Sequence, residues 1–217
     1  MLEAEIQVFA ITVEVYFGQP RPFAKDKIDE IAVWLTDGAS GFALRSDQVR
    51  VRHTDIVFDY EVSASFFGGN AAFSLNADRV VLSAKGAKTR QDADLLVETA
   101  NRFVTKTALP EKLYVFCSTN AQASLGTEGL REEFLERYRP DGLVSGPGAL
   151  GYVRLTDWPE DIRIAIEPSI ASSESLFISW STRFLPSIDS RPTFEALIEV
   201  MDKAANIYGV KFKPLIQ

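Results

Sequence analysis

The sequence predicts an α+β fold: an antiparallel sheet built from two similar meander-plus-helix halves, with the helices packed on one face. Three observations predict it. In "IVFDYEVSASFF", Phe58, Tyr60, Val62, Ala64 and Phe66 alternate with Asp59, Glu61, Ser63 and Ser65. That period of two belongs to a sheet with one buried and one wet face. Several such stretches follow one another before any helical period, which argues against strict βαβ alternation. Each half then closes on an amphipathic stripe, first at Leu96, Ala100, Phe103 and Val104, then at Phe194, Leu197, Ile198, Met201, Ala205 and Tyr208, at helical spacing.

In chain order, residues 5–17 read as a strand, ended by "QPRP", whose prolines break regular pairing. Ile28, Ile31, Ala32 and Leu35 share one face of a short helix that Gly38 closes. The alternating strand comes next. Gly68-Gly69-Asn70 tolerate positive φ and suit a tight hairpin. "AAFSL" and "RVVLSA" then complete a meander. Thr89 is placed as the N-cap of the first amphipathic helix, with Asp92 in the capping-box position. "KLYVFCST" reads as a strand. "TEGLREEFLERYR" reads as a helix stopped by Pro140 and Gly142. Strands at "YVRLT", "IRIAIE" and "LFISWSTRF" precede the final helix, which ends at Gly209. The halves divide as 1–120 and 121–217, and they can share one continuous sheet.

Composition narrows the functional classes. The chain has 217 residues, 46% of them hydrophobic, which is enough for a sizeable core. Its net charge of −7 disfavours general nucleic-acid binding, which needs clustered Lys and Arg. The densest basic run, "RSDQVRVRH", is interrupted by Asp47 and reads as a solvated strand edge. One cysteine excludes an internal disulfide framework or a multi-cysteine zinc site. The acidic start does not resemble a signal peptide, and no apolar run approaches the ~20 residues that span a bilayer. A cytoplasmic protein is expected.

"GPGALG" at Gly146–Gly151 matches G-x-G-x-x-G. A dinucleotide fingerprint needs a strand before it and a helix after it, so that helix amides face the pyrophosphate. Here the order is helix, loop, strand, and Pro147 removes one amide. A connector is the expected role.

The candidate chemistry lies in "HTDIVFDYE". If one strand runs through it, His53, Asp55, Asp59 and Glu61 fall on one face, where they could hold a divalent metal or act as acid and base. A solvated sheet face has the same pattern. Cys117 with His53 is the one Cys–His nucleophile–base pair the composition allows, but an apolar strand makes a cysteine an inert hydrophobe. "REEFLERYR" reads as a helix face carrying ion pairs. Trp34, Trp158, Trp180 and the phenylalanines could line an apolar pocket or simply fill a core.

"AAFSLNADRVVLSAKGAKTRQDADLLVETANRFV" with "KLYVFCSTNAQ", and later "ESLFISWSTRF" with "FEALIEVMDKAANIYG", resemble a sporadically distributed, uncharacterised bacterial protein family with duplicated strand-meander-plus-helix halves. The resemblance implies this fold and a bacterial origin. It implies no activity and no site residues.

The expected function is that of a non-catalytic binding or regulatory protein without a cofactor, whose macromolecular partner is a protein. Homo-oligomerisation is left open. The alternatives are a metal-assisted or acid-base enzyme centred on His53, Asp55, Asp59 and Glu61, and a carrier of an apolar small ligand.

Overall fold

A computed structural model describes residues 1–86, 90–107, 114–139, 141, 148–155, 161–184 and 194–213. The strands are β1 (Leu2–Tyr16), β2 (Val49–His53), β3 (Tyr60–Phe66), β4 (Ala71–Leu75), β5 (Arg79–Lys85), β6 (Tyr114–Ser124), β7 (Ala149–Val153), β8 (Ile162–Pro168), β9 (Ser175–Phe184) and β10 (Val210–Phe212). The helices are α1 (Lys25–Thr36), α2 (Arg90–Lys106), α3 (Leu130–Glu136) and α4 (Phe194–Ile207). The strands form one sheet in the order β2-β3-β4-β5-β1-β6-β9-β8-β7, with β10 pairing the start of β1. Pairing is antiparallel throughout except for β1 with β10.

The expected α+β architecture is present, with two similar halves. One runs β1, α1, a meander and α2. The other runs β6, α3, a meander and α4. The halves meet at β1 and β6, so a division at 120/121 falls inside β6. β1 is the longest strand because it serves both sides: β6 pairs it along one flank, and β10 and then β5 pair it along the other. A register shift between Ile6 and Val8 lets one strand follow both partners.

One face of the sheet is buried. Ile11, Val13 and Val15 of β1 sit beside Thr119, Cys117 and Val115 of β6, all buried. Leu96, Val97, Ala100 and Phe103 of α2 cover the first half. Phe103 packs on Trp34 of α1 and Phe73 of β4, with both ring centroids 6.0 Å away. These rings fill the first-half core by packing on one another. Over the second half, Met201, Ala204 and Ala205 of α4 are buried, and Thr119 Oγ1 lies 3.8 Å from the Met201 sulfur. Asp202 holds β10 against α4, because its Oδ1 accepts the Phe212 amide at 3.1 Å.

The expected strand through 56–66 begins only at Tyr60. From Tyr60 onward the predicted alternation holds, with Tyr60, Val62, Ala64 and Phe66 buried. Phe58 was expected among them, but it lies in the loop before β3 and is exposed. The proposed cap at Thr89, the tryptophan at 158 and the stop at Pro140 and Gly142 lie outside the described residues.

The buried seam under α4 yields a direct expectation. Met201→Ala removes a buried side chain that the sheet cannot follow inward, and should cost about 2–5 kcal/mol. A denaturant midpoint unchanged from wild type would show that α4 does not pack on β6 as described.

Candidate binding surface

The other face of the sheet is bare among the described residues. Across neighbouring strands the register aligns Ser65 of β3, Ala72 of β4, Ser83 of β5, Thr12 of β1, Ser118 of β6 and Ser181 of β9. Each is at least partly exposed. Strands lie about 4.8 Å apart, so this row is about 24 Å long. Its side chains are all short, and most carry a hydroxyl. A partner can therefore approach close to the sheet and meet groups that both donate and accept hydrogen bonds. No titratable side chain lies in the row, so it offers contact rather than acid-base chemistry.

At one end of this face, Tyr16, Glu14 and Arg79 form a closed set. Tyr16 Oη donates to Glu14 Oε2 at 2.8 Å, and Arg79 Nη1 donates to Tyr16 Oη at 2.6 Å and to Glu14 Oε2 at 3.0 Å. Burial, then the bond to Glu14, raises the Tyr16 hydroxyl above its ordinary pKa, while the bond to Tyr16 chiefly raises Arg79. Tyr16 and Arg79 line a cleft of about 810 Å³ with Pro20, Phe116 and Arg183.

The sharpest exposed feature is the loop between β2 and β3. Ile56, Val57 and Phe58 are consecutive and 67%, 62% and 51% exposed. The loop is held from within. The Thr54 amide donates to Asp59 O at 3.1 Å, and the Asp59 amide donates to Ile56 O at 2.9 Å. Thr54 Oγ1 accepts the Ile56 amide at 3.2 Å and donates to Asp59 Oδ2 at 3.1 Å. Arg52 Nη1 then pairs Asp59 Oδ1 at 2.9 Å. Thr54 and Asp59 bond to one another across the loop, and Ile56, Val57 and Phe58 are left exposed.

This geometry separates the four residues proposed for a metal. His53 ends β2 opposite Tyr60, whereas Glu61 sits opposite Arg52, so the two lie on different faces of the hairpin. Asp55 lies in the loop, and Asp59 and Glu61 both face Arg52, at 2.9 and 3.8 Å. The expectation of one shared face fails because the chain reverses between Thr54 and Asp59. Among the described residues, no group of three or more His, Cys, Asp or Glu side chains is placed to hold a metal ion. His53 and Cys117 are five strand spacings apart, about 24 Å. They cannot pair.

Two other motifs have structural explanations. On α3, Glu133 pairs Arg137 and Glu136 pairs Arg139. The described glycines of "GPGALG" lead into and form β7. A Cβ on Gly148 would strike the Ile166 carbonyl, and one on Gly151 would strike the Tyr208 hydroxyl. Close packing at the sheet edge accounts for the two described glycines of the motif.

No protein-family model matches the chain, and no curated protein does. Among solved structures, Methanococcus jannaschii TBP is similar over 94% of this chain and 98% of its own, with 11% identity and a TM-score of 0.39. Nothing about function follows from a likeness at that level. No helix among the described residues is long and apolar enough to cross a membrane.

Cys117 gives a pH expectation. It is fully buried, and burial pushes its thiol up to about 12. In the unfolded chain the thiol ionises near its ordinary value, about 8.5. The folded form therefore binds the proton more tightly, and stability is lost as pH rises between the two values. The slope should approach about 1.4 kcal/mol per pH unit. Comparing wild type with Cys117→Ala from pH 8 to about 10.5 should isolate that slope; parallel curves would place the thiol in water.

Proposed function

We infer that the chain is a non-catalytic binding protein that docks a protein partner through the Ile56-Val57-Phe58 loop and the adjoining bare face of its sheet. The observation that carries this reading is the loop itself. Covering a large apolar side chain is worth about 1.5–3 kcal/mol, and here three successive ones are left in water on a loop fixed by its own hydrogen bonds. A pre-ordered apolar tip binds without a large ordering cost. Contiguous exposed apolar surface of this kind marks interaction sites.

The row from Ser65 to Ser181 supports the same reading, since short neutral side chains admit a partner's backbone and supply polar contacts. The acidic balance of the chain, −7, favours a protein over a nucleic acid. The pairing of Asp59 and Glu61 with Arg52, and the separation of His53 from them, make the enzyme alternative centred on these residues the weaker one.

The test is site-specific photocrosslinking in the cells that make the protein. A crosslinking residue at Val57 should give one discrete adduct of protein mass. A crosslinker at Glu133, on the helical side, should not. Phe58→Ser should reduce the adduct by about tenfold or more while shifting stability by no more than about 0.5 kcal/mol, because the side chain is half exposed. Equal labelling from both positions, or none from Val57, would contradict the reading.

A further inference from the structure

We propose that β7 is a homodimerisation edge, at which two copies join their sheets through an antiparallel β7–β7 pair centred on Gly151. β7 is the last strand on its side of the sheet, and among the described residues its hydrogen-bonded strand neighbour is β8 alone. Its outer backbone groups are a template for another strand. The two edges of the sheet are treated differently. β2, at the far edge, carries Arg50, Arg52 and His53 within five residues. Charged side chains on an edge are a guard against strand addition. β7 reads Ala149, Leu150, Gly151, Tyr152, Val153, with no charge and no proline.

The occupant follows from self-complementarity. A two-fold axis through Gly151 sets Leu150 of one copy opposite Tyr152 of the other, and the reverse. On the opposite face it sets Ala149 against Val153. Each pair is apolar, and cross-strand apolar pairs are favourable. Leu150 and Tyr152 are 66% and 75% exposed in the single chain, so both have surface to lose. Charge agrees with this pairing. Each copy carries −7 overall, yet Arg154, the first charged residue beyond the strand, falls opposite Gly148. No like charges meet along the pair. The Tyr208 hydroxyl beneath Gly151 leaves no room for a side chain at the centre, so the midpoint of the edge stays flat. Such an interface is isologous and closes on two copies.

The test uses the full chain in sedimentation equilibrium from about 1 to about 200 µM, where mass action should reveal association. The mass should rise from 24.1 kDa towards twice that value. Leu150→Lys places a charge in both reciprocal pairs and should weaken the dimer by about tenfold or more. Val51→Lys, on the guarded edge, should leave it unchanged. Register is read separately: the double variant Leu150→Cys/Tyr152→Cys should form a covalent dimer on mild oxidation, and Leu150→Cys alone should not. A monomer throughout, a dimer indifferent to Leu150→Lys, or no trapping in the double variant would overturn the proposal. Should Leu150→Lys fail to fold, the trapping result decides alone.

Discussion

The antiparallel pairing of β1 with β6 is the constraint on which the rest of the molecule depends. It joins the two halves and places their strands in one sheet. It also fixes which side chains face the core. Val13 beside Cys117 and Val15 beside Val115 face inward, so Thr12 beside Ser118 must face outward. A slip of one residue would send the apolar set into water. The helices of both halves pack over the same buried face, leaving the other face uncovered among the described residues. The bare row from Ser65 to Ser181 is therefore a consequence of how β1 and β6 pair.

The fold was legible in the sequence where periodicity was strong. The alternation from Tyr60 to Phe66 and the stripe from Ile198 to Tyr208 both carry their burial in their spacing. The candidate site was not legible for two physical reasons. The alternation of 60–66 can be extended backwards to Phe58 without contradiction, because a loop that exposes apolar residues keeps the same parity by chance. The signal that could have found the loop is the run Ile56-Val57-Phe58, which breaks the alternation, between Asp55 and Asp59. Thr54 and Asp59 then close the turn without the glycine or asparagine that usually announces one. The small-residue row is hidden for a different reason. It is assembled from six strands, and only the register between strands distant in sequence brings its members together.

The two edges of the sheet divide the surface by role. The β2 edge carries charged residues and ends in the apolar loop. The β7 edge is uncharged and self-complementary. In a β7-paired dimer the two loops would stand at opposite ends of the joined sheet, each open to its own partner. Bivalent presentation of that kind raises apparent affinity for a partner with repeated sites without any new contact. It also explains why a loop and an edge with different chemistry can occur on one chain without competing for the same occupant.

Hydrogen exchange of the native protein tests most directly whether β1 and β6 hold the two halves as one unit. The account predicts that amides of Ile11–Val15 and of Val115–Thr119 exchange together and last, at the rate set by global unfolding. Loss of protection across β6 and the second half while β1 to β5 remain protected would contradict it, because the halves would then be separate units that only touch.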